Sequence, residues 1–424
     1  MLSHHHCRGL LLLAVVAAIG WPAAARGDAV TDWNAHANAA IFSTGPTAHA
    51  AALSTAMVHG AVYDAVNAIA GGHRPYLLGL RADPSLSEEA AAATAAFRVT
   101  AALVPSQLAA LETHYAASLA VLPDGPAKTG GVVVGKAAAE AMLAARANDG
   151  RNRPFAFVLG VAPGTWRPSP PAFALDPTPW VGNVTPFLID SAERFRSQGP
   201  NPLTSRAYAR DFREVKSLGS FTSRRRTADQ TAAAIFWQAQ PGGLYGGVMR
   251  SLSARFALST AENARLFAMV TLAAADGAIA CWNDKYHWNS WRPIDAIHEA
   301  ASDGNRATRA DRHWKPLFDP ATATVPALST PAFPEHPSGH TCSSGATLHA
   351  MRDFFGTDRI AVDIVSPRFP TQPRHYQRFS QVLDEIVDAR VWGGIHFRTA
   401  DTQGAKIGER VARWERRHYF QPVD

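Results

Sequence analysis

Features of membrane-spanning, nucleic-acid-binding and disulfide-rich proteins are scarce in this sequence. After the first 25 of its 424 residues, no apolar run looks both long enough and free enough of charge to cross a bilayer. The 41 basic and 35 acidic residues leave a net charge of +6, but no basic stripe interleaved with aromatics predicts nucleic-acid binding. Only three cysteines occur, so at most one disulfide is expected. We therefore expect a soluble protein whose excess charge suits an anionic small ligand.

The N-terminal segment differs from the rest of the chain. Residues 9–20 form a continuous apolar stretch, preceded by an arginine and followed by a proline and several alanines. This order is typical of a signal peptide, which we predict at residues 1–25, with Gly27 as a competing boundary and export to the periplasm or outside the cell. Cys7 precedes the apolar stretch and therefore does not mark a lipid anchor. The alternative is a buried first helix, against which the break at Pro22 argues.

Apolar residues recur at helical spacing over most of the remaining chain, whereas alternating strand-like patterns are scarce. We therefore predict an all-α fold of helical bundles, with no repeat of fixed period. Gly71 is placed to end one helix, and Ser259 with Glu262 forms a capping-box pattern at the start of another. The predicted helices cover residues 49–70, 87–104, 107–119, 128–147, 227–238, 259–284, 338–355, 376–390 and 402–417.

Residues 153–202 interrupt the helical pattern. Prolines recur in this stretch and forbid long helices, while aromatic residues such as Trp166 and Trp180 offer anchors that linkers seldom need. A domain linker and a disordered tether are alternatives, but we favour a long ordered loop over a helical core. The predicted organisation is a signal peptide at 1–25, an N-terminal helical region at 28–152, the proline- and aromatic-rich loop at 153–202 and a C-terminal helical region at 203–424, together one compact unit of one or two bundles.

Three short segments combine residue types that bind a tetrahedral oxyanion. Lysine offers a point charge and arginine a planar fork of donors, while a Ser-Gly pair at a helix start offers N–H groups that no helical carbonyl accepts. Two histidines can divide the remaining work, one as ligand or nucleophile and the other as proton carrier. Each feature alone has a plain structural explanation, such as a solvated cation, an N-cap or a core histidine. The segments run from Lys285 to Arg292-Pro293, over Pro337-Ser338-Gly339-His340, and from Arg390 to His396.

The order and spacing of these segments resemble the three-part signature of the superfamily of vanadium haloperoxidases and type 2 phosphatidic acid phosphatases. Weaker similarity to bacterial vanadium haloperoxidase-like proteins extends upstream, through residues 59–67 and the loop at Trp166. The resemblance implies an α-helical fold built around four-helix bundles and a site for vanadate, in which phosphate is an isosteric alternative. One departure is Ala389, where phosphatase relatives often have serine; it favours a haloperoxidase.

The resemblance also implies a role for each residue of the three segments. Five groups would hydrogen-bond the oxygens of vanadate: Lys285, Arg292, Arg390, the Ser338 hydroxyl and the Gly339 N–H. His396 would bond the vanadium and is thus the metal ligand. His340 would be the acid–base residue that deprotonates bound peroxide. These two histidines are therefore the catalytic candidates.

Two enzymatic functions are compatible with such a site, and a third possibility is not enzymatic. We favour a vanadate-dependent haloperoxidase that oxidises halide with hydrogen peroxide and passes the halogen to an organic acceptor. Trp282 and Phe333 fall where chloroperoxidase-type relatives place aromatics beside the halide, although both equally suit core packing. The alternative is an exported acid phosphatase with a phosphohistidine at His396. The third is a non-catalytic oxyanion-binding protein, against which the paired histidines argue.

Two cysteines flank site residues. Cys281 lies four residues before Lys285, and Cys342 lies two after His340. Because both helical turns should approach one oxyanion, we predict a disulfide between these cysteines. Two buried free thiols are the alternative.

Overall fold

The computed structural model describes residues 28–239, 241–319 and 328–423, and the predicted signal peptide lies outside these ranges. Within them the chain is mainly helical, which confirms the predicted fold class. The helices are α1 (Ala29–Ser43), α2 (Ala48–Ala70), α3 (Glu88–Leu103), α4 (Leu108–Ala120), α5 (Pro126–Arg146), α6 (Arg206–Leu218), α7 (Ala228–Phe236), α8 (Pro241–Phe256), α9 (Thr260–Trp288), α10 (Pro293–His298), α11 (Gly339–Phe355), α12 (Phe379–Trp392) and α13 (Arg398–His418).

The predicted helices are present with ends moved by a few residues. Ser259 and Glu262 form the expected capping box at the start of α9. That helix continues beyond its predicted end at residue 284 and stops at Asn289, which adopts the left-handed conformation with φ 47°. Helices α1, α6, α8 and α10 were not predicted.

One antiparallel pair of strands, which we did not predict, lies between α11 and α12. Strand β1 covers Val362–Ser366 and strand β2 covers Phe369–Tyr376. β1 alternates buried and exposed residues, but β2 is mostly exposed and contains two prolines, so its pattern is weak. The predicted helix start at Tyr376 was therefore wrong, and α12 begins at Phe379.

Helices α2 and α9 pack against each other at the centre of the molecule, with α3 and α5 against α2 and with α11 and α13 against α9. Both central helices contain the pattern Ala-Met-Val-x-x-Ala-x-x-Asp, which ends at Asp64 and at Asp276. Each aspartate accepts three consecutive backbone N–H groups, from residues 76–78 and 187–189 respectively. Because buried carboxyl oxygens need such donors, each aspartate fixes a crossing segment to its helix.

Helix α9 has the length and composition of a membrane-spanning helix, contrary to our expectation that no such run exists. Its most apolar stretch has a mean hydropathy of 1.5, but 89% of that stretch is buried inside the protein. A helix surrounded by other helices needs no polar face, which accounts for this composition. Within the described ranges, α3 and α4 taken together also have the length and composition of a membrane-spanning helix, but the chain bends by 118° between them.

Residues 153–202 form an ordered loop, as predicted. Apart from short 3₁₀ turns at Pro179–Asn183 and Glu193–Phe195, the loop has no regular structure. Trp166 is buried, and its backbone N–H donates to the carbonyl of Asn289 at 2.7 Å. This bond ties the loop to the end of α9. The division of the chain into regions at the two ends of the loop stays a prediction.

Glycines on α13 bring this helix against α11. A Cβ atom at Gly404 would overlap Thr341 Oγ1 and lie 2.7 Å from the carbonyl oxygen of Ser338. At Gly408 a Cβ atom would lie 2.7 Å from the carbonyl carbon of Gly345. Any side chain at either position would push the helices apart, so the glycines fix the start of α11 relative to α13.

Candidate functional site

The three predicted segments meet in one buried site at the ends of helices. Five of their side chains are at most 1% exposed: Lys285, Arg292, Ser338, Arg390 and His396. Lys285 lies in the last turn of α9, Arg292 precedes α10, Ser338 precedes α11, Arg390 lies near the end of α12, and His396 lies before α13. His340 and Gly339, in the first turn of α11, are partly exposed to an adjoining cavity.

Gly339 is held between the start of α11 and the end of α9. A Cβ atom here would lie 2.9 Å from the ring of Trp282 and 3.8 Å from Cε of Lys285. Its backbone N–H belongs to the first turn of α11 and has no carbonyl of that helix to donate to. Glycine is therefore required for close approach, and its N–H points out of the helix start as the sequence predicted.

Buried polar atoms without a hydrogen bond of normal geometry are concentrated in this site. Within the described part of the chain they include Arg292 Nη2, Ser338 Oγ, His340 Nε2 and Arg390 Nε. Buried polar atoms are rarely left so, because each costs about 1–3 kcal/mol. One tetrahedral oxyanion with a protonated oxygen would satisfy the four atoms together: the two guanidinium groups and the Ser338 hydroxyl would donate to it, and its O–H would donate to Nε2 of His340.

Lys285 lies where predicted, but its hydrogen bonds differ from the prediction. Its ammonium donates to the carbonyls of Pro334 at 2.9 Å and Glu335 at 3.1 Å, and to that of Pro337. An ammonium has only three N–H donors, so none is left for an oxyanion in this arrangement. Lys285 thus anchors the loop that leads into Ser338 and adds positive charge to the site.

The cations of the site lie close enough to repel one another. Burial, followed by the charge of Arg292, lowers the pKa of Lys285 well below its usual range. Burial lowers the pKa of Arg292 to about 10 and that of Arg390 to about 9. A bound anion would raise these pKa values, because it favours the charged form of each group.

His396 is oriented by an acidic residue that the sequence analysis missed. Its Nδ1 atom lies 2.9 Å from Oε1 of Glu335, which also accepts the backbone N–H of Phe397 at 2.8 Å. Its Nε2 atom lies 3.2 Å from Nη1 of Arg292, which also donates to the carbonyl of Ile395. Because a guanidinium can only donate, Nε2 is the acceptor and the ring proton is on Nδ1, so a ligand at Nε2 would replace the bond from Arg292.

Two further titratable groups complete the site. Burial lowers the pKa of His340 well below its usual value, as does the charge of Arg390, while the backbone of Ala239 and Trp237 opposes the shift. Asp401, in the first turn of α13, was not predicted. Burial raises its pKa well above the usual range, against the opposing effects of the Ser338 hydroxyl and the charge of Arg390. Both groups lie near the charge of Arg390.

Aromatic rings form one wall of the site. The ring centroids of Trp282 and Phe333 lie 4.9 Å apart, and His49 stacks on Trp282 at 3.7 Å. Asp176, from the proline-rich loop, accepts the indole N–H of Trp282 and the hydroxyl of Tyr286, both at 2.9 Å. Burial lowers the pKa of His49 to about 3. The predicted pair thus belongs to a larger neutral wall, and no sequence signal marked His49 or Asp176.

Cys281 and Cys342 form a disulfide between α9 and α11, as predicted, with their Cα atoms 6.1 Å apart. The bond joins the helix that carries Lys285 to the helix that carries His340. It therefore fixes two of the three segments against each other.

Comparisons with known proteins identify similar sequences and folds. Residues 265–424 match the family described as the VCPO second helical-bundle domain. The chain is similar to the vanadium chloroperoxidase of Curvularia inaequalis, with 25% identity over 279 residues, 52% of this chain and 45% of that protein. The chain thus spans about half the length of the curated relative it matches.

Solved structures share the fold over nearly the whole chain. The first bacterial vanadium-dependent iodoperoxidase superposes with a TM-score of 0.77 at 23% identity, covering 93% of this chain and 97% of that one. A holo-type bacterial vanadium-dependent chloroperoxidase superposes with a TM-score of 0.68 at 20% identity, covering 88% and 91% respectively. At these identities the likeness shows a common fold.

Proposed function

The chain belongs to the superfamily of vanadium haloperoxidases and type 2 phosphatidic acid phosphatases, and from this premise we propose that it is a vanadate-dependent haloperoxidase. The observation that carries the proposal is the set of four unsatisfied polar atoms, from Arg292, Ser338, His340 and Arg390, beside an oriented His396. Its substrates would be a halide, hydrogen peroxide and an organic acceptor.

The donor set fits vanadate. Arg292, Arg390 and Ser338 would hold its oxygens together with the N–H of Gly339, and Nε2 of His396 would ligate the vanadium. When bound, vanadate activates hydrogen peroxide toward the two-electron oxidation of a halide. Lys285 would contribute charge rather than a hydrogen bond while it binds three carbonyls.

The residues of the chain supply electrostatics and proton transfer. Buried cations stabilise negative charge more strongly than exposed ones, because little water screens them. His340 is neutral and its Nε2 atom has no partner in the described ranges, so this atom can accept a proton from hydrogen peroxide. The same imidazole can return the proton to a departing oxygen.

The aromatic wall favours halide oxidation over phosphate ester hydrolysis. Trp282, Phe333 and the neutral ring of His49 place apolar surface beside the cations. A halide in contact with this wall is poorly hydrated, which strengthens its interaction with the positive site. An alkyl phosphate gains less from three packed rings, so the wall supports the haloperoxidase.

The proposal is tested by assaying two activities on the same preparation. We expect halogenation of an organic trap with hydrogen peroxide, halide and added vanadate, and little hydrolysis of p-nitrophenyl phosphate. Omission of vanadate is the control and should abolish halogenation. Loss of p-nitrophenyl phosphate without vanadate-dependent halogenation would instead establish the phosphatase, and the absence of both activities would support an oxyanion-binding protein.

The acid phosphatase remains the second candidate because of one observation. The same four atoms fit phosphate, and Nε2 of His396 is oriented as a nucleophile would be. Nε2 of His340 would then carry a proton and donate it to the leaving alkoxide.

We also propose that the protein is exported to the periplasm or outside the cell. The signal-peptide pattern at residues 1–25 supports this location. The disulfide between Cys281 and Cys342 supports it independently, because such bonds persist in oxidising compartments. N-terminal sequencing of the secreted protein should begin after Ala25.

A further inference from the structure

A cavity of about 230 Å³ joins the oxyanion site from the side of α1, α2 and α8. Its inner end is formed by residues of the oxyanion site, including Arg390 and His396. Its outer part reaches Gln238, which also lines a groove beside Phe42 and Leu244. The residues of the outer part have no role in holding an oxyanion.

The sides of the cavity are apolar. Ala52 of α2, Met249 of α8 and Val270 of α9 line it together with the rings of Trp282 and Phe333. These rings touch one another, so a further ring would pack against the face that they present to the cavity, and an aromatic pair contributes about 0.5–1.5 kcal/mol beyond burial alone. Among the described residues that line the cavity, the one fixed charge is Arg390, at its inner end.

Unsatisfied polar atoms lie among these apolar residues. Asn38 Oδ1 and Gln238 Oε1 are buried acceptors without a hydrogen-bond partner within the described ranges. The hydroxyl of Tyr245 is close to that of Ser344 but makes no hydrogen bond of normal geometry. The fold gives these atoms no hydrogen-bond partner, so a ligand with a donor group would supply one.

Resting on the proposed haloperoxidase function, we infer that this cavity binds the organic acceptor itself, as a single uncharged aromatic ring with a hydrogen-bond donor, for example a phenol. A cavity of about 150 Å³ is enough for benzene, so the space suits one substituted ring. The unsatisfied acceptors Asn38 Oδ1 and Gln238 Oε1 select for a hydroxyl or amino group. The absence of a carboxylate among the described lining residues disfavours a cationic amine.

The chemistry of such an acceptor is consistent with the proposed activity. An electron-rich ring ArH reacts with halide X⁻ according to ArH + X⁻ + H₂O₂ + H⁺ → ArX + 2 H₂O. The halide gives two electrons to the peroxide, a carbon–halogen bond forms, and the ring loses its C–H proton. Binding the ring beside the oxidised halogen would direct which ring carbon reacts.

Binding is tested on the purified protein without vanadate, peroxide or halide. By isothermal titration calorimetry we expect phenol to bind saturably and toluene, which lacks the donor, to bind about two- to tenfold more weakly. Asn38→Leu, which removes one of the two unsatisfied acceptors, should narrow this difference. Tyr208→Phe is the matched control, because its buried hydroxyl also lacks a normal hydrogen bond but lines a different cavity.

A blocking variant makes the site assignment falsifiable. Ala52→Trp should fill the cavity and abolish phenol binding, with an unchanged circular dichroism spectrum showing that the protein is folded. Saturable phenol binding to this variant, or no saturable binding to the parent, would overturn the inference. When the parent brominates phenol, the ratio of ortho to para bromophenol should differ from the ratio that free hypobromous acid gives. Ala52→Trp should give the same ratio as free hypobromous acid.

Triiodide formation from iodide and peroxide separates this inference from the proposed function, because it requires no organic acceptor. A parent protein that binds phenol but forms no triiodide with vanadate would refute the haloperoxidase and leave the cavity assignment standing. A parent that forms triiodide but brominates phenol with the free-reagent ratio would refute the cavity assignment alone.

Discussion

Oε1 of Glu335 lies 2.9 Å from Nδ1 of His396, and the same oxygen accepts the backbone N–H of Phe397. One carboxyl group, whose pKa burial raises to about 8, therefore fixes both the ring of the proposed vanadium ligand and the backbone that follows it. With the proton on Nδ1, Nε2 carries the lone pair, which accepts from Arg292 in this structure and would ligate vanadium in its place. Glu335 is a positioning residue, since it acts through His396.

Removal of the Glu335 carboxylate should weaken oxyanion binding. Partners that orient a metal-ligating histidine are worth about 10- to 100-fold in affinity. We expect Glu335→Ala to lose vanadate affinity by that factor, measured by equilibrium dialysis. Glu335→Gln keeps an acceptor oxygen and should recover much of the affinity. Equal vanadate affinity in the parent and in Glu335→Ala would show that His396 needs no orienting partner.

Arg292 and Arg390 should each contribute a charge-assisted bond to the oxyanion. Arg292 Nη2 and Arg390 Nε have no partner within the described residues, so a bound oxyanion supplies one. Changing either to Ala should weaken vanadate binding by about 1.5–3 kcal/mol, again by dialysis. Arg413→Ala is a control, since this exposed arginine pairs with Glu409 and does not line the site. Unchanged affinity in both site variants would refute the assignment.

The two histidines should separate binding from turnover. His396→Ala is expected to abolish vanadate binding and activity together. His340→Ala should keep most of the vanadate affinity and lose about 10²- to 10⁴-fold in turnover, the usual value of general acid–base catalysis. Vanadate-loaded protein, quantified by metal analysis, is the measurement for binding. Equal loss of vanadate in both variants would contradict the division of labour.

Helical periodicity predicted most of the fold, and irregular segments were missed for identifiable reasons. The β2 strand has few buried residues and two prolines, so no alternation marked it. The apolar composition of α9 reflects burial by neighbouring helices, which depends on packing that no single segment encodes. The proline-rich loop was recognised because its aromatic residues indicated anchoring.

The ligand-type residues of the site were predicted, but their supporting residues were not. Arg292, Ser338 and His396 lie in short segments with recognisable spacing. Glu335, Asp176 and Asp401 act through contacts made across the fold, at positions where an isolated acidic residue has no distinguishing pattern. For Lys285 the predicted position in the site was right, but the predicted hydrogen bonds were not. Its ammonium donates to carbonyls of a loop whose conformation the sequence pattern does not show.

The disulfide between Cys281 and Cys342 should stabilise the fold. The two cysteines are 61 residues apart, and closing such a loop stabilises by roughly 4 kcal/mol in the chain-entropy model. We expect Cys281→Ala with Cys342→Ala to lower the free energy of unfolding by about that amount in urea. Thiol titration of the denatured protein cleaved after Ala25 should find no free thiol before reduction and two after it. Two free thiols before reduction would end the assignment.

His59 should make the protein sensitive to acid through a buried neutral imidazole. Its Nε2 atom lies 2.9 Å from the side-chain amide nitrogen of Asn34. In sequence, both residues are far from the three segments of the oxyanion site. Burial, with the charge of Arg250, lowers its pKa from 6.5 to about 3. The unfolded chain therefore takes up a proton between pH 6.5 and 3 that the folded protein does not, so stability falls as the pH falls through this window.

At pH 5 the protonation of His59 in the unfolded state should cost about 2 kcal/mol of stability relative to pH 7, since each pKa unit is worth about 1.4 kcal/mol. His59→Gln places an amide oxygen near the position of Nε2 and does not titrate. We expect the loss of unfolding free energy between pH 7 and pH 5, measured by urea titration, to be smaller in this variant by about that amount. His313→Gln, at an exposed position, is the matched control and should behave as the parent. An identical pH dependence in the parent and in His59→Gln would mean that folding leaves the pKa of His59 unchanged, and would refute the prediction.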